Sequence, residues 1–222
     1  MRRLLRCFGI LSLIAFCAPI VHAQQTYLGF RLGTNLANEW IDQNSEPSGA
    51  SNDINVGILG GAQFDYQFNP IWSLSMELLF DQKGTDIRLE RFNYWKPTYN
   101  YIEVPILLKT SFGSGNFSPY VFTGPSFGIY LSGSYQEDVI PATVYDFDGS
   151  IPTTKVRSPD IAAEFGAGLQ LKLSSSHILF IDASYALGLV NILKSNPFFA
   201  PNFSSVFKSR DIRLAAGILF PM

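Results

Sequence analysis

Apolar and polar residues alternate one by one along most of this chain, and the alternation recurs eight times. In the stretch WSLSMELLFD, Trp72, Leu74, Met76, Leu78 and Phe80 fall on one side of an extended backbone, opposite Ser73, Ser75, Glu77 and Asp81. In AAEFGAGLQLKL, Ala163, Phe165, Ala167, Leu169, Leu171 and Leu173 oppose Glu164, Gly166, Gly168, Gln170 and Lys172. Near the end, Ile212, Leu214, Ala216, Ile218 and Phe220 oppose Asp211, Arg213, Ala215 and Gly217. A period of two is the signature of a strand whose faces meet different surroundings. The pattern predicts strands at about 27–37, 54–68, 72–87, 98–112, 117–133, 159–173, 177–190 and 209–220.

The links between these segments alternate too. Asn69-Pro70-Ile71, residues 113–116 and residues 174–176 are short, whereas 38–53, 88–97, 134–158 and 191–208 are long or polar. If neighbouring strands pair antiparallel, all short turns lie at one end and all long loops at the other, as in outer-membrane barrels. The alternation fits either a soluble barrel with its apolar face inside or a membrane barrel with that face outside. Two features favour the membrane form. The polar face carries Gly57, Gly61, Gly124, Gly128, Gly166, Gly168, Gly188 and Gly217, which weaken a water-facing strand but make room in a narrow lumen. The apolar face runs uncharged for about nine to eleven residues per strand, the length that crosses a bilayer when tilted. Aromatic residues are expected as two interfacial girdles, with Tyr66, Phe68, Trp72 and Phe117 near the short turns and Tyr94, Trp95 and Tyr99 near the long loops. The fold class is therefore all-β, an eight-stranded antiparallel up-and-down transmembrane barrel following a signal peptide.

Residues 1–23 read as that signal peptide. Arg2, Arg3 and Arg6 form a basic start, Cys7 to Val21 an apolar run, and Val21-His22-Ala23 a cleavage site. A lipoprotein signal using Cys17 is disfavoured by the bulk of Phe16. The barrel domain is then 24–222. Cleavage removes both cysteines, so no disulfide staples the mature chain. Removing the three arginines leaves 13 basic against 18 acidic residues, an unpromising balance for binding nucleic acid.

The lumen face places ten charged side chains together: Arg31, Asp65, Glu77, Asp81, Glu103, Lys109, Glu164, Lys172, Asp182 and Arg213, with Gln63 and Gln170 beside them. An eight-stranded barrel is just filled by side chains, so a paired polar core is favoured over an ion or proton path. Buried charges need partners and hydrogen bonds. Catalytic chemistry has little to work with. The mature chain keeps one histidine, His177, in an expected turn, far from any nucleophile and acid. With no cysteine and no second histidine, zinc is not expected. Tyr145-Asp146-Phe147-Asp148-Gly149 has too few ligands for a calcium loop and reads as a solvated loop. No metal and no cofactor are expected. Phe198, Phe199, Phe203 and Phe207 in the last long loop form a candidate partner surface, equally readable as a self-packed lid. Arg88, Arg91 and Lys96 are weaker candidates for lipid phosphates.

The fourth strand, Tyr101-Ile102-Glu103-Val104-Pro105-Ile106-Leu107-Leu108-Lys109, resembles the "YLEIPLLLK" strand of the PorT-like outer-membrane β-barrel family of Bacteroidetes-type bacteria. Gly29-Phe30-Arg31-Leu32-Gly33-Thr34-Asn35-Leu36, Gly124-Pro125-Ser126-Phe127-Gly128 and Gly166-Ala167-Gly168-Leu169 resemble its first, "GP" and glycine-rich strands. The resemblance implies an integral outer-membrane barrel. The ending Phe220-Pro221-Met222 departs from the terminal aromatic common in such strands. The leading expectation is a non-enzymatic barrel acting through its outer loops, with membrane lipids and an envelope or secretion protein as partners. The alternatives are an accessory of secretion or envelope assembly, as the family's namesake is, and a soluble periplasmic ligand-binding barrel. Within YIEVPILLK, Tyr101, Glu103, Pro105, Leu107 and Lys109 are expected to face the lumen. Pro105 lacks a backbone donor, so a bulge or local gap is expected where it meets Gly124 and Pro125.

Overall fold

Each alternating segment is extended because its β-branched, aromatic and small residues suit a pleated surface with one polar and one apolar side. The computed structural model describes residues 25–41, 50–89, 93–113, 115–139, 146–154, 156, 158–173, 176–192 and 207–222. The signal-peptide reading of residues 1–23 and Phe198, Phe199 and Phe203 lie outside them. The elements are β1 (Gln25–Ile41), β2 (Ala50–Gln67), β3 (Trp72–Leu89), β4 (Asn93–Ser111), β5 (Phe117–Val139), β6 (Asp146–Ser150), β7 (Asp160–Lys172), β8 (Ile178–Gly188) and β9 (Phe207–Pro221).

All pairings are antiparallel, and the ring runs β1-β2-β3-β4-β5-β7-β8-β9 before returning to β1. The seam holds from Tyr27↔Pro221 to Ile41↔Phe207, and the Met222 N–H donates to Thr26 O at 2.9 Å. Eight strands thus close a barrel. Closure leaves no sheet edge, the condition for placing strands in lipid. The ninth element, β6, lies outside the ring and pairs with Ser134–Asp138 of β5. This corrects the expectation of a solvated loop around Asp146 to Gly149: the backbone there finds its partners on the long extension of β5.

The faces sort as the alternation demands. Phe30, Leu32 and Val56 point outward with 63%, 72% and 65% of their surface exposed, while Arg31, Glu77, Glu103 and Arg213 are buried inside. This is the inverse of a soluble barrel. In the 101–109 stretch of β4 the buried residues are Tyr101, Glu103, Pro105, Leu107 and Lys109, the expected inward set. Tyr99 belongs to the same parity, and the structure buries it in the lumen rather than in an interfacial girdle. Trp72, Phe68 and Phe117 do face outward beside the short turns.

The strands outrun the bilayer. β5 has 23 residues, and at ~3.3 Å per residue its contour far exceeds a ~30 Å hydrocarbon core even when tilted. The excess lies at the loop end. The 88–97 connection, expected as a long loop, is mostly paired strand, with Leu89↔Asn93, Arg88↔Tyr94 and Ile87↔Trp95 in register. At the other end the turns are tight. Asn69 Oδ1 accepts from the N–H groups of Ile71 and Trp72 at 2.9 Å each, and Gly113 takes a left-handed conformation (φ 99°) open to glycine.

The proline expectation resolves into a gap. Pairing of β4 with β5 is interrupted between Pro105↔Ser126 and Leu108↔Thr123, and pairing with β3 between Met76↔Ile106 and Leu79↔Glu103. Register is the same on either side of both gaps. The bulge of this pairing sits elsewhere, opposite Asn100 and Tyr101, where Leu131 of β5 is the extra residue.

Candidate functional site

The chemistry of this molecule is concentrated in the lumen, because that is where the strands aim their charged side chains. Nine of the ten predicted residues are buried there: Arg31, Asp65, Glu77, Asp81, Glu103, Lys109, Glu164, Asp182 and Arg213. The tenth, Lys172, stands apart, half-buried in a polar recess at the turn end with Gln67, Ser73, Ser111 and Gln170.

In the turn-end half, Arg31 bridges two acids, with Nη1 2.5 Å from Glu77 Oε1 and Nη2 2.6 Å from Asp182 Oδ1. Tyr120 donates to the other Asp182 oxygen at 2.7 Å. Lys109 pairs with Asp65 at 2.8 Å, and Gln63 donates to that carboxylate at 2.9 Å. Rings fill the space between. Lys109 Nζ lies 4.7 Å from the Tyr120 centroid, and the Arg31 guanidinium 5.8 Å from that of Phe180. The lumen glycines make room for those rings. A Cβ on Gly217 would fall 2.4 Å from Phe180 and 2.3 Å from the Phe30 carbonyl oxygen. One on Gly168 would fall 2.6 Å from both Tyr120 and the Ile181 carbonyl oxygen, so these glycines also let neighbouring strands approach.

In the loop-end half, Arg213 is the hub. It reaches Asp81 at 2.8 Å, Glu103 at 2.5 Å and Glu164 at 2.9 Å. Asn35 donates to Asp81 at 2.8 Å, Ser126 to Glu103 at 3.2 Å and Ser184 to Glu164 at 2.7 Å. Lys83 then pairs with Glu103, with Asp160 at 3.1 Å and with Asp211 at 3.3 Å. Above it, Tyr99, Tyr101, Tyr130, Ile151, Val156 and Ile192 form an apolar plug. Tyr130 donates to Ile151 O at 2.7 Å, and the Ile151 N–H donates to Gly133 O at 2.8 Å, which brings the segment after β6 into the barrel mouth.

Three charged members, Lys83, Asp160 and Asp211, were not among the expected ten. The signal for each was present. Lys83 lies two residues past Asp81, Asp211 two before Arg213 and Asp160 four before Glu164, so all share the lumen parity. Of the remaining candidates, Lys96 lies 3.7 Å from Asp86 in the outer extension. Phe207 opens β9. His177 stacks edge-on against Phe220 at 5.1 Å, by the short turns. Among the described residues no cluster of three or more histidine or carboxylate groups is arranged to hold a metal.

A closed antiparallel barrel of eight strands, apolar outside and packed with paired charges inside, is a transmembrane β-barrel of the small outer-membrane class. A family model for the outer membrane protein beta-barrel domain matches residues 22–194, and the chain belongs to that family. No curated protein matches the sequence. Among solved structures, OprG from Pseudomonas aeruginosa is similar, at 12% identity over 90% of this chain and 95% of that one, with a TM-score of 0.48. Neisserial surface protein A is similar at 10% identity over 86% and 95%, with a TM-score of 0.45. Ail, the attachment invasion locus protein of Yersinia pestis, is similar at 15% identity over 88% and 99%, with a TM-score of 0.39.

Proposed function

We propose that this protein is a non-enzymatic integral outer-membrane barrel with a sealed polar lumen, exported by its signal peptide, which acts through its extended outer end. One observation supports the sealed lumen above all. Arg213 on β9 binds Glu103 on β4, and those strands stand four places apart in a ring of eight, on opposite sides of the barrel. An ion pair across the full width leaves no room for a water-filled bore. The strands that outrun the bilayer instead present a paired scaffold on which outer loops, among them the phenylalanine-rich stretch before β9, meet an envelope or secretion protein or neighbouring lipid.

The experiment is single-channel recording in planar bilayers, with heat-modifiable gel migration and retention in a carbonate wash establishing that the folded barrel is inserted. The expected record is silent. A stable, large conductance from heat-modifiable protein overturns the sealed lumen. A PorT-like role as an accessory of secretion is the second reading, and the YIEVPILLK strand supports it. Secretion of cargo in a deletion strain separates the two: intact secretion disposes of the accessory role.

A further inference from the structure

Among the described residues the lumen buries eight carboxylates, at Asp65, Glu77, Asp81, Glu103, Asp160, Glu164, Asp182 and Asp211, against four cations, at Arg31, Lys83, Lys109 and Arg213. The excess is concentrated at the loop end, where Lys83 and Arg213 face Asp81, Glu103, Asp160, Glu164 and Asp211. Uncompensated charge is costly in such a place. Asp211 is the most exposed to that cost. It is fully buried, neither of its oxygens accepts a hydrogen bond, and its ion-pair partners lie at 3.3 Å (Lys83) and 3.9 Å (Arg213).

Asp211 lines a small cavity with Asn38, Lys83, Tyr99, Asp160 and Ser209, offering about 10 Å³ to the centre of a water-sized sphere. Asp160 Oδ1, Asn38 Oδ1 and Ser209 Oγ are also buried without a hydrogen-bond partner. Four of these oxygens are pure acceptors: both on Asp211, one on Asp160 and one on Asn38. A single water carries two protons and satisfies two of them. A proton on Asp211 offsets one negative charge, as a monovalent cation does, but satisfies fewer of these oxygens. A cation takes lone pairs from several oxygens together, needs no hydrogens and offsets one charge of the surplus.

The donor set is made of hard oxygens, from two carboxylates, an amide carbonyl and a hydroxyl, which suits alkali and alkaline-earth ions. With only two carboxylates and the Lys83 ammonium at the wall, a divalent ion would be under-neutralised and repelled. We propose that this cavity binds one monovalent alkali cation. It is a site separate from the outer surface through which the barrel acts, and it is reached from the loop end, beneath the tyrosine plug.

The test is urea unfolding of the full-length barrel in detergent micelles, read by heat-modifiable migration, in sodium, potassium or choline chloride at equal ionic strength. Choline is too large for the cavity. The midpoint is expected to rise, saturably, when sodium or potassium replaces choline. Asp211→Asn, which removes one charge without changing shape, is expected to abolish that response. Ser209→Ala, a smaller change, is expected to raise the half-saturating concentration several-fold. Broadening of the ²³Na resonance by the wild-type barrel, and its loss in Asp211→Asn, provides a readout independent of stability. Identical midpoints in the three salts, or an undiminished sodium response in Asp211→Asn, overturn the proposal and leave the cavity to water or a proton.

Discussion

The two halves of the lumen solve one problem in different ways. At the turn end, two cations meet three acids, and the charges are interleaved with Tyr27, Leu107, Tyr120, Phe122, Phe180 and Leu219. There the interior is a mixed core in which apolar packing carries much of the stability and the ion pairs sit among rings. At the loop end, two cations meet five acids and the polar groups touch one another, with Arg213 alone serving three carboxylates. The apolar part of that half is displaced outward into the tyrosine plug. A charged interior can thus be held by dispersal among rings or by concentration on one hub, and the two designs respond differently to loss of a single residue.

The sharpest way to break the contrast is to remove the hub. Arg213→Met leaves Asp81, Glu103 and Glu164 facing one another with only Lys83 near. Removing one partner of a buried ion pair costs about 3–5 kcal/mol, and here Asp81 and Glu164 lose theirs while Glu103 keeps Lys83. We expect the variant at or beyond the upper end of that range, measured as the urea midpoint of the folded gel band. Arg31→Met, which strands two acids but leaves Tyr120 on Asp182, is expected to fall at the lower end. If the order is reversed, the hub description is wrong.

Glu103→Leu comes next. Glu103 accepts from Arg213, Lys83 and Ser126, so its loss removes charge-assisted bonds worth about 1.5–3 kcal/mol each before relaxation. Both cations keep other acids, however, in a region with acids to spare. The expected net loss is about 2 kcal/mol, clearly smaller than for Arg213→Met. An unchanged melting temperature would remove Glu103 from the network.

Substitution at Gly217 probes the turn-end half. A Cβ there would fall 2.3 Å from the backbone carbonyl oxygen of Phe30 and 2.4 Å from the Phe180 ring. Gly217→Val must therefore displace both the neighbouring strand and the ring that packs beside Arg31 and Lys109. Overpacking of this kind typically costs about 1–3 kcal/mol. The companion Gly217→Val/Phe180→Ala variant is expected to recover little of the loss, since the Phe30 carbonyl of the neighbouring strand remains in the way. Full rescue would mean the glycine is kept for the ring rather than for strand approach.

How far the sequence showed these features depends on what fixes each one. Parity along a strand is set by the pleat, so which residues share a face was legible from alternation. The glycines of the polar face and the uncharged length of the apolar face were needed to turn the apolar side towards the membrane. Lys83 and Asp160 were equally legible, since both fall on the inward parity of the expected strands 72–87 and 159–173. Tyr99 lies near a loop, but its parity with Tyr101 places it inside rather than at the interface. Partnerships were not legible. Which acid Arg213 reaches depends on strand tilt and stagger around the ring, quantities that no single strand carries. The same holds for β6, whose pairing requires the length by which β5 overshoots the bilayer.

The smallest expected effect is at the plug that separates the loop-end half from the exterior. Tyr130→Phe keeps the ring, which lies 5.6 Å from Tyr101 and 6.4 Å from Tyr99, and deletes only the hydroxyl bonded to Ile151 O. A neutral hydrogen bond contributes about 0.5–1.5 kcal/mol net, so global unfolding should move little. The change should be local instead. Ile151 would retain its N–H bond to Gly133 O but lose the contact that draws its carbonyl inward. Faster amide exchange is therefore expected at Ile151 and its neighbours, with the strands around Arg213 unaffected. Should exchange accelerate equally at Arg213 and in the turn-end half, the plug would be part of one continuous core, and the division of the lumen into two regions would fail.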